Sequence, residues 1–307
     1  MEYTSGRKSA LAALGLVLLP ASMALPGWPR SGTIIQGDAI QFDQSTWEEN
    51  LERPNATGSF PITGFDISKA FTSPPQTVDG WELAVNVTSS ISDADTLNPG
   101  NATGQVYTGT SIYLRAPDDV IAALDPDTAA DNTTWKICVT VMTGGPGEDD
   151  TSSADNGTCS SLSSQCISDF QDAYADQFAK LQDCYRQPSI PDSCGDSLSQ
   201  ANLTTQQYAL DHLNGTEVFV TASGPHDGDD NTAYDNAVKT VWPVLVVWGW
   251  NTRADVSDGT KPTVQLTCAR ANHTGDGSDS SASMASRSHG PVTITFAIAV
   301  LAAVILF

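Results

Sequence analysis

The chain has 307 residues, of which 36 are Asp or Glu and 14 are Lys or Arg, for a formal net charge of −22. So acidic a surface repels nucleic acid and anionic membranes, which sets aside nucleic-acid binding as a function. The length between the two terminal segments suits one large domain or two small ones.

Residues 1–24 read as a secretory signal peptide. Arg7 and Lys8 supply the basic start, and Leu11 to Leu19 is an apolar run too short to span a bilayer. Pro20 breaks the run, and Ser22-Met23-Ala24 offers small residues for cleavage after Ala24. An uncleaved N-terminal anchor is the alternative.

Residues 25–270 then form the ectodomain. The stretch from 25 to 80 is rich in Pro, Gly and Thr, with short apolar pieces such as Thr33-Ile34-Ile35. It predicts an extended lead-in with short edge strands. From Gly80 onward Trp81, Leu83, Val85 and Val87 alternate with Glu82, Ala84, Asn86 and Thr88, the period of a strand. Asn86 falls on the polar face, where a glycan would have room. Further strands are predicted at Tyr107 to Arg115, Trp135 to Met142, Glu217 to Ala222, Thr240 to Trp250 and Val264 to Cys268. Clusters of Gly, Pro, Asn and Asp separate them, as in antiparallel sheets.

One segment has the other period. Ile167, Phe170, Tyr174, Phe178, Leu181 and Tyr185 recur three or four residues apart, which predicts an amphipathic helix from Cys166 to Tyr185, ended by Pro188 and Pro191. A second short helix is predicted over Thr205 to Leu213. The expected fold is mainly β: an antiparallel β-sandwich with a disulfide-stapled helical insertion over about residues 155–215.

The six cysteines, Cys138, Cys159, Cys166, Cys184, Cys194 and Cys268, make an even count that predicts three disulfides in an oxidising compartment. Six cysteines allow fifteen connectivities. Along a continuous helix Cys166 and Cys184 would lie about 27 Å apart, beyond the reach of a disulfide. The leading assignment is Cys159–Cys166, Cys184–Cys194 and Cys138–Cys268, the last joining two strands. No CxxC pair or His cluster suggests a metal, and no cofactor is expected. Eight Asn-X-Ser/Thr sequons, at Asn55, Asn86, Asn101, Asn132, Asn156, Asn202, Asn214 and Asn272, predict a heavily glycosylated exterior.

A search for chemistry finds no GxSxG elbow, and the four histidines are scattered. Glu82 and Glu217 lie on predicted strands and read as outward-facing, although a glycosidase pair among the many carboxylates stays open. Asp227-Gly228-Asp229-Asp230-Asn231 places oxygen ligands from Asp227, Asp229 and Asn231 at alternate positions. Thr232 stands where a calcium loop needs Gly, and Val238 where it needs Glu, so a solvated acidic turn is the simpler reading. Trp242, Val244, Val246, Trp248 and Trp250 share one face of their strand, with Leu245 and Val247 on the other. Apolar residues on both faces are what a central strand between a sheet and a covering helix looks like. Trp242 and Trp248 read as core. Trp250, beside the polar turn Asn251-Thr252-Arg253, is the candidate exposed ring for stacking against a sugar.

Residues 271–290, rich in Ser, Gly and Asp, read as a flexible stalk. Residues 291–307 form an uncharged tail with no Lys or Arg after it. Small residues, a polar spacer and an apolar tail are the pattern of a GPI-attachment signal, with Ser280 the candidate attachment site. A single-pass type I membrane protein is the alternative.

The signal end, the eight sequons, the stalk and the Pro291–Phe307 tail together resemble those of fungal-type GPI-anchored cell-wall and cell-surface glycoproteins. That resemblance implies a place on the outer face of the plasma membrane or in the wall, held by a lipid anchor, with wall polysaccharide as candidate partner. It carries over no catalytic residue. The expected function is a non-catalytic surface or wall protein with carbohydrate as candidate ligand; the alternative is a wall-remodelling glycoside-active enzyme with an unrecognised Asp/Glu pair.

Overall fold

The structure is a computed structural model that describes residues 33–36, 40–95, 104–124, 133–143, 157–199, 201–208 and 217–274. The predicted signal peptide, the sequons Asn101, Asn132, Asn156 and Asn214, the attachment site Ser280 and the C-terminal tail lie outside the described residues.

The chain opens with the hairpin β1 (Thr33–Gln36) and β2 (Ile40–Asp43), then helix α1 (Gln44–Leu51). Strands β3 (Ala56–Pro61), β4 (Gly64–Phe65), β5 (Thr77–Val78), β6 (Glu82–Ser92) and β7 (Val106–Arg115) follow. After the short helix α2 (Asp118–Ala123) come β8 (Trp135–Thr143), the long helix α3 (Ser164–Leu181) and one turn, α4 (Gly195–Leu198). The remainder is β9 (Asn202–Tyr208), β10 (Glu217–Ala222), α5 (Thr232–Lys239), β11 (Trp242–Trp250), β12 (Thr263–Ala269) and β13 (His273–Thr274).

Two antiparallel sheets dominate. One has the strand order β10-β7-β6-β3-β13 and the other β12-β11-β8-β9. Their facing surfaces share one apolar core, with Leu83, Val85 and Ile112 from the first sheet and Val139, Val244 and Val246 from the second. The aromatic rings bridge the layers: Trp81 meets Trp248 edge-on at 4.7 Å between centroids, and Phe65 stacks on Trp135 at 5.8 Å. The mainly-β, antiparallel expectation holds, as do the strand assignments at Tyr107, Trp135, Glu217 and Val264.

β11 is buried along its whole length because a layer covers each face. Its Trp248 side faces the first sheet, and its Gly249 side receives α3. A Cβ on Gly249 would collide with the Phe178 ring, so the missing side chain is what lets the helix lie close. Ser163 caps the start of α3 by accepting from the Cys166 N–H at 3.1 Å. At its end Gln182 takes a left-handed conformation, and Lys136 Nζ donates to the Gln182 carbonyl at 2.6 Å.

Three disulfides staple this helix, but none is the predicted pairing. The bonds are Cys138–Cys184, Cys159–Cys268 and Cys166–Cys194. Cys138 on β8 and Cys268 on β12 both pair in register with the α3-facing side of β11, opposite Val247 and Pro243. Each therefore meets a cysteine flanking the helix rather than a partner strand. Cys184 sits just past the C-terminus and Cys159 just before the N-terminus, so the sheet grips α3 at both ends. The expectation that Cys166 and Cys184 do not pair holds.

Two further expectations are corrected. Thr205 to Tyr208 is strand, not helix: residues 202–208 form β9, the edge strand beside β8, and the remainder of the predicted helix, 209–213, lies outside the described residues. Its Thr residues favour a strand, and alternate positions, Gln206 and Tyr208, turn inward. The described part of the insertion is thus a helix followed by the edge strand of the four-stranded sheet. Asn86 is not at a solvated face: it is 5 % exposed, because α1 and α5 pack over that side of β6.

Candidate functional site

The outer face of the first sheet carries a polar row under α1. Glu217, at the start of β10, is 2 % exposed. Its Oε1 accepts three hydrogen bonds: from Ser111 Oγ at 2.6 Å, Tyr113 OH at 3.0 Å and Trp47 Nε1 at 3.3 Å. Trp47 Nε1 also donates to Ser111 Oγ at 3.1 Å. Oε2 is buried and finds no partner among the described residues.

The chain builds this cluster from three elements. Ser111 and Tyr113 are alternate residues of β7 and so share a face. Trp47 comes down from α1, and its ring lies over Gly109, where a Cβ would sit 2.6 Å from the indole. Glu217 reaches the same face through a β-bulge: it pairs with Tyr113, whereas Phe219 pairs with Ile112. Two residues that strict alternation would put on one face are thereby sent to opposite faces. Phe219 packs on Trp242 at 5.4 Å, on the inner side.

Burial pushes the Glu217 carboxyl up to about 7, against the three donated hydrogen bonds, which favour the charged form; Glu48 nearby adds to the upward push. The Tyr113 hydroxyl is held far above its ordinary value by burial and by the adjacent carboxylate. The cluster takes up a proton near neutral pH while clamping Trp47 to the sheet.

The row continues along the same face. Arg115 lies with its guanidinium carbon 5.5 Å from the Tyr113 ring centroid and donates to Glu82 Oε1 at 3.0 Å. Glu82 Oε2 accepts from Ser59. Glu82 is therefore a half-exposed, ion-paired strand residue, close to its sequence reading, while Glu217 departs from its own.

Trp250 departs too. It is 2 % exposed, tilted against Phe71 at 5.1 Å and edge-on to Phe178 at 5.6 Å. It offers no face to a sugar; the polar turn that follows it does not expose the ring, because the 62–71 segment and α3 close over it. Trp242 and Trp248 are core, as expected.

Asp227, Asp229 and Asn231 are all exposed. The loop closes on itself: the Asp230 N–H donates to the Asp227 carbonyl at 3.0 Å, and the Asp230 carboxylate accepts from the Thr232 N–H at 2.9 Å at the start of α5. Among the described residues no group of three or more His, Cys, Asp or Glu could hold a metal ion.

Among the described sequons, Asn202 and Asn272 are exposed. Asn55 is half-buried, its Oδ1 accepting from the Ser89 N–H at 2.8 Å and its carbonyl from Tyr234 OH at 3.2 Å. No protein-family model, curated protein or solved structure matches the chain.

Proposed function

We propose that this chain is a non-catalytic glycoprotein of the outer cell surface or wall, displayed on a GPI anchor at Ser280 and built to persist outside the cell. The observation that carries the reading is the pairing of all six cysteines into three buried bonds around one helix. Such bonds persist in oxidising compartments and are rare where thiols are kept reduced. The terminal sequence patterns agree with it: an apolar leader ahead of the domain, and a Ser/Gly/Asp stalk with an apolar tail behind it. Among the described residues no helix is long and apolar enough to cross a membrane.

The enzyme alternative needs two carboxylates within reach of a sugar. Glu217 is sealed beneath Trp47, and Glu82 is engaged by Arg115 and Ser59, so the row supplies no such pair. With Trp250 buried, contact with wall polysaccharide would fall to the exterior outside the Trp strand.

Phosphatidylinositol-specific phospholipase C applied to intact cells tests the anchor. Release of the protein into the medium is the expected result. Retention, with an epitope at the C-terminus still attached, would assign the tail to a spanning helix instead.

A further inference from the structure

We propose that Asn202 is an occupied glycosylation site whose glycan guards the open edge of the four-stranded sheet. The proposal rests on the secretory reading above, and the experiment below separates the two.

β9 is seven residues long and pairs with β8 in unbroken register, from Asn202 opposite Thr143 to Tyr208 opposite Ile137. No strand pairs with its other side among the described residues. An edge of this kind presents free N–H and C=O groups to any other strand, and proteins commonly blunt it with charge, Pro, a bulge or a covering element. The sequence Asn202-Leu203-Thr204-Thr205-Gln206-Gln207-Tyr208 has no charge and no Pro, and its register shows no bulge. Its Thr, Gln and Tyr content and zero net charge suit strand addition. One side chain covers part of it: Gln187 Nε2 donates to the Leu203 carbonyl at 3.0 Å and to Thr205 Oγ1 at 2.9 Å.

The other edges are blunted differently. β10 carries the bulge at Glu217 and lies against the β1–β2 hairpin. β12 is bridged by Gly157 opposite Cys268. β13 has only two residues. Among the described strands, the long, regular, uncharged edge thus begins with an exposed sequon, Asn202-Leu203-Thr204.

The modification transfers an oligosaccharide from a lipid-diphosphate donor. A bond forms between Asn202 Nδ2 and the anomeric carbon of the reducing-end sugar, the anomeric carbon–oxygen bond breaks, Nδ2 loses one proton, and the lipid diphosphate leaves. The glycan at the strand's first residue would bar a second strand by bulk and hydration. Asn86, buried under α1 and α5, has no space for a glycan in this fold and stays unmodified.

The test uses the full chain expressed through a eukaryotic secretory pathway and released from cells. Peptide mapping after enzymatic deglycosylation in 18O-water should mark Asn202 and leave Asn86 unmarked. Thr204→Ala, which removes the sequon, should shift the protein in light-scattering chromatography from monomer to dimer and larger species. Thr204→Lys also removes the sequon but places a charge on the edge, and should stay monomeric. Should Thr204→Ala fail to be secreted, enzymatic removal of glycans from the folded wild type must produce the same shift. An unmarked Asn202 in a chain marked at other sequons would overturn the proposal alone. A monomeric unglycosylated form would overturn the guarding role. A chain marked at none of its sequons would instead sink the secretory reading.

Discussion

Replacing Glu217 with Gln keeps an acceptor oxygen for Ser111, Tyr113 and Trp47 and removes the ionisation. In the folded protein the carboxyl is pushed up to about 7 from an ordinary value of 4.5, chiefly by burial. An acid raised on folding contributes stability that is fully present below its unfolded value and lost as pH rises through its folded value. At about 1.36 kcal/mol per unit, the group withdraws up to roughly 3 kcal/mol from the wild type between about pH 4.5 and pH 8. The Gln variant is neutral throughout, so it should match or fall slightly below the wild type near pH 5 and exceed it increasingly above pH 6, by up to about 3 kcal/mol. Glu48 on α1 adds to the upward push on this carboxyl, and Arg115 acts on the neighbouring Tyr113. Urea unfolding of both proteins, disulfides intact, at steps from pH 5 to pH 8 measures the difference. Hydrogen exchange of the α1 amides reads the local effect, because Trp47 is the indole that the carboxyl holds. A stability difference that stays flat over this range, or one that favours the wild type at pH 8, would refute the reasoning.

Three other outcomes are expected. Trp250→Ala should cost about 3–5 kcal/mol of unfolding free energy in chemical denaturation, the usual result of removing a buried Trp; a stable variant that had lost only sugar binding would restore the platform reading. Non-reducing peptide mapping should find Cys138–Cys184, Cys159–Cys268 and Cys166–Cys194, with no Cys159–Cys166 peptide. Replacing Cys159 and Cys268 together by Ala opens a link between residues 109 apart in sequence, and loop entropy puts the loss at about 4–5 kcal/mol in the same assay.

The sheets were legible because burial on one face writes a period of two into the chain. β7 and β8 fall where their alternation places them. β11 was legible by the opposite sign, an apolar run on both faces, and the structure supplies the two covers that the pattern required. What the pattern could not carry was the identity of those covers. Ala84, Asn86 and Thr88 read as a solvated side because nothing local signals that α1 and α5 lie over them. α1 is eight residues long and anchors itself with Trp47 and Leu51, one turn apart. The disulfide pairing is set by the same distant packing. Sequence proximity favours Cys159 with Cys166, but α3 fixes Cys166 inside its first turn and leaves Cys159 on the approach, where Cys268 is presented by a strand distant in sequence.

The immediate neighbours of Trp250 and Glu217 point away from where each side chain lies, in complementary ways. A Trp beside a polar turn looks exposed, yet here the turn begins only after the ring is enclosed by Phe71 and Phe178. A Glu at the head of an apolar strand looks outward, and by alternation it would share a face with Phe219. The bulge breaks that alternation, and Glu217 is carried under Trp47 instead. A charged residue sent to the interior must find donors, and the three that converge on Oε1 come from two other elements far away in the chain. The same bulge also blunts the β10 edge, so one local irregularity accounts for both the buried acid and the closed edge. β9 has no such irregularity. That contrast is why an open-edge device is expected at Asn202 on β9, whereas Asn86 lies on the central strand β6, under α1 and α5, with no edge to guard.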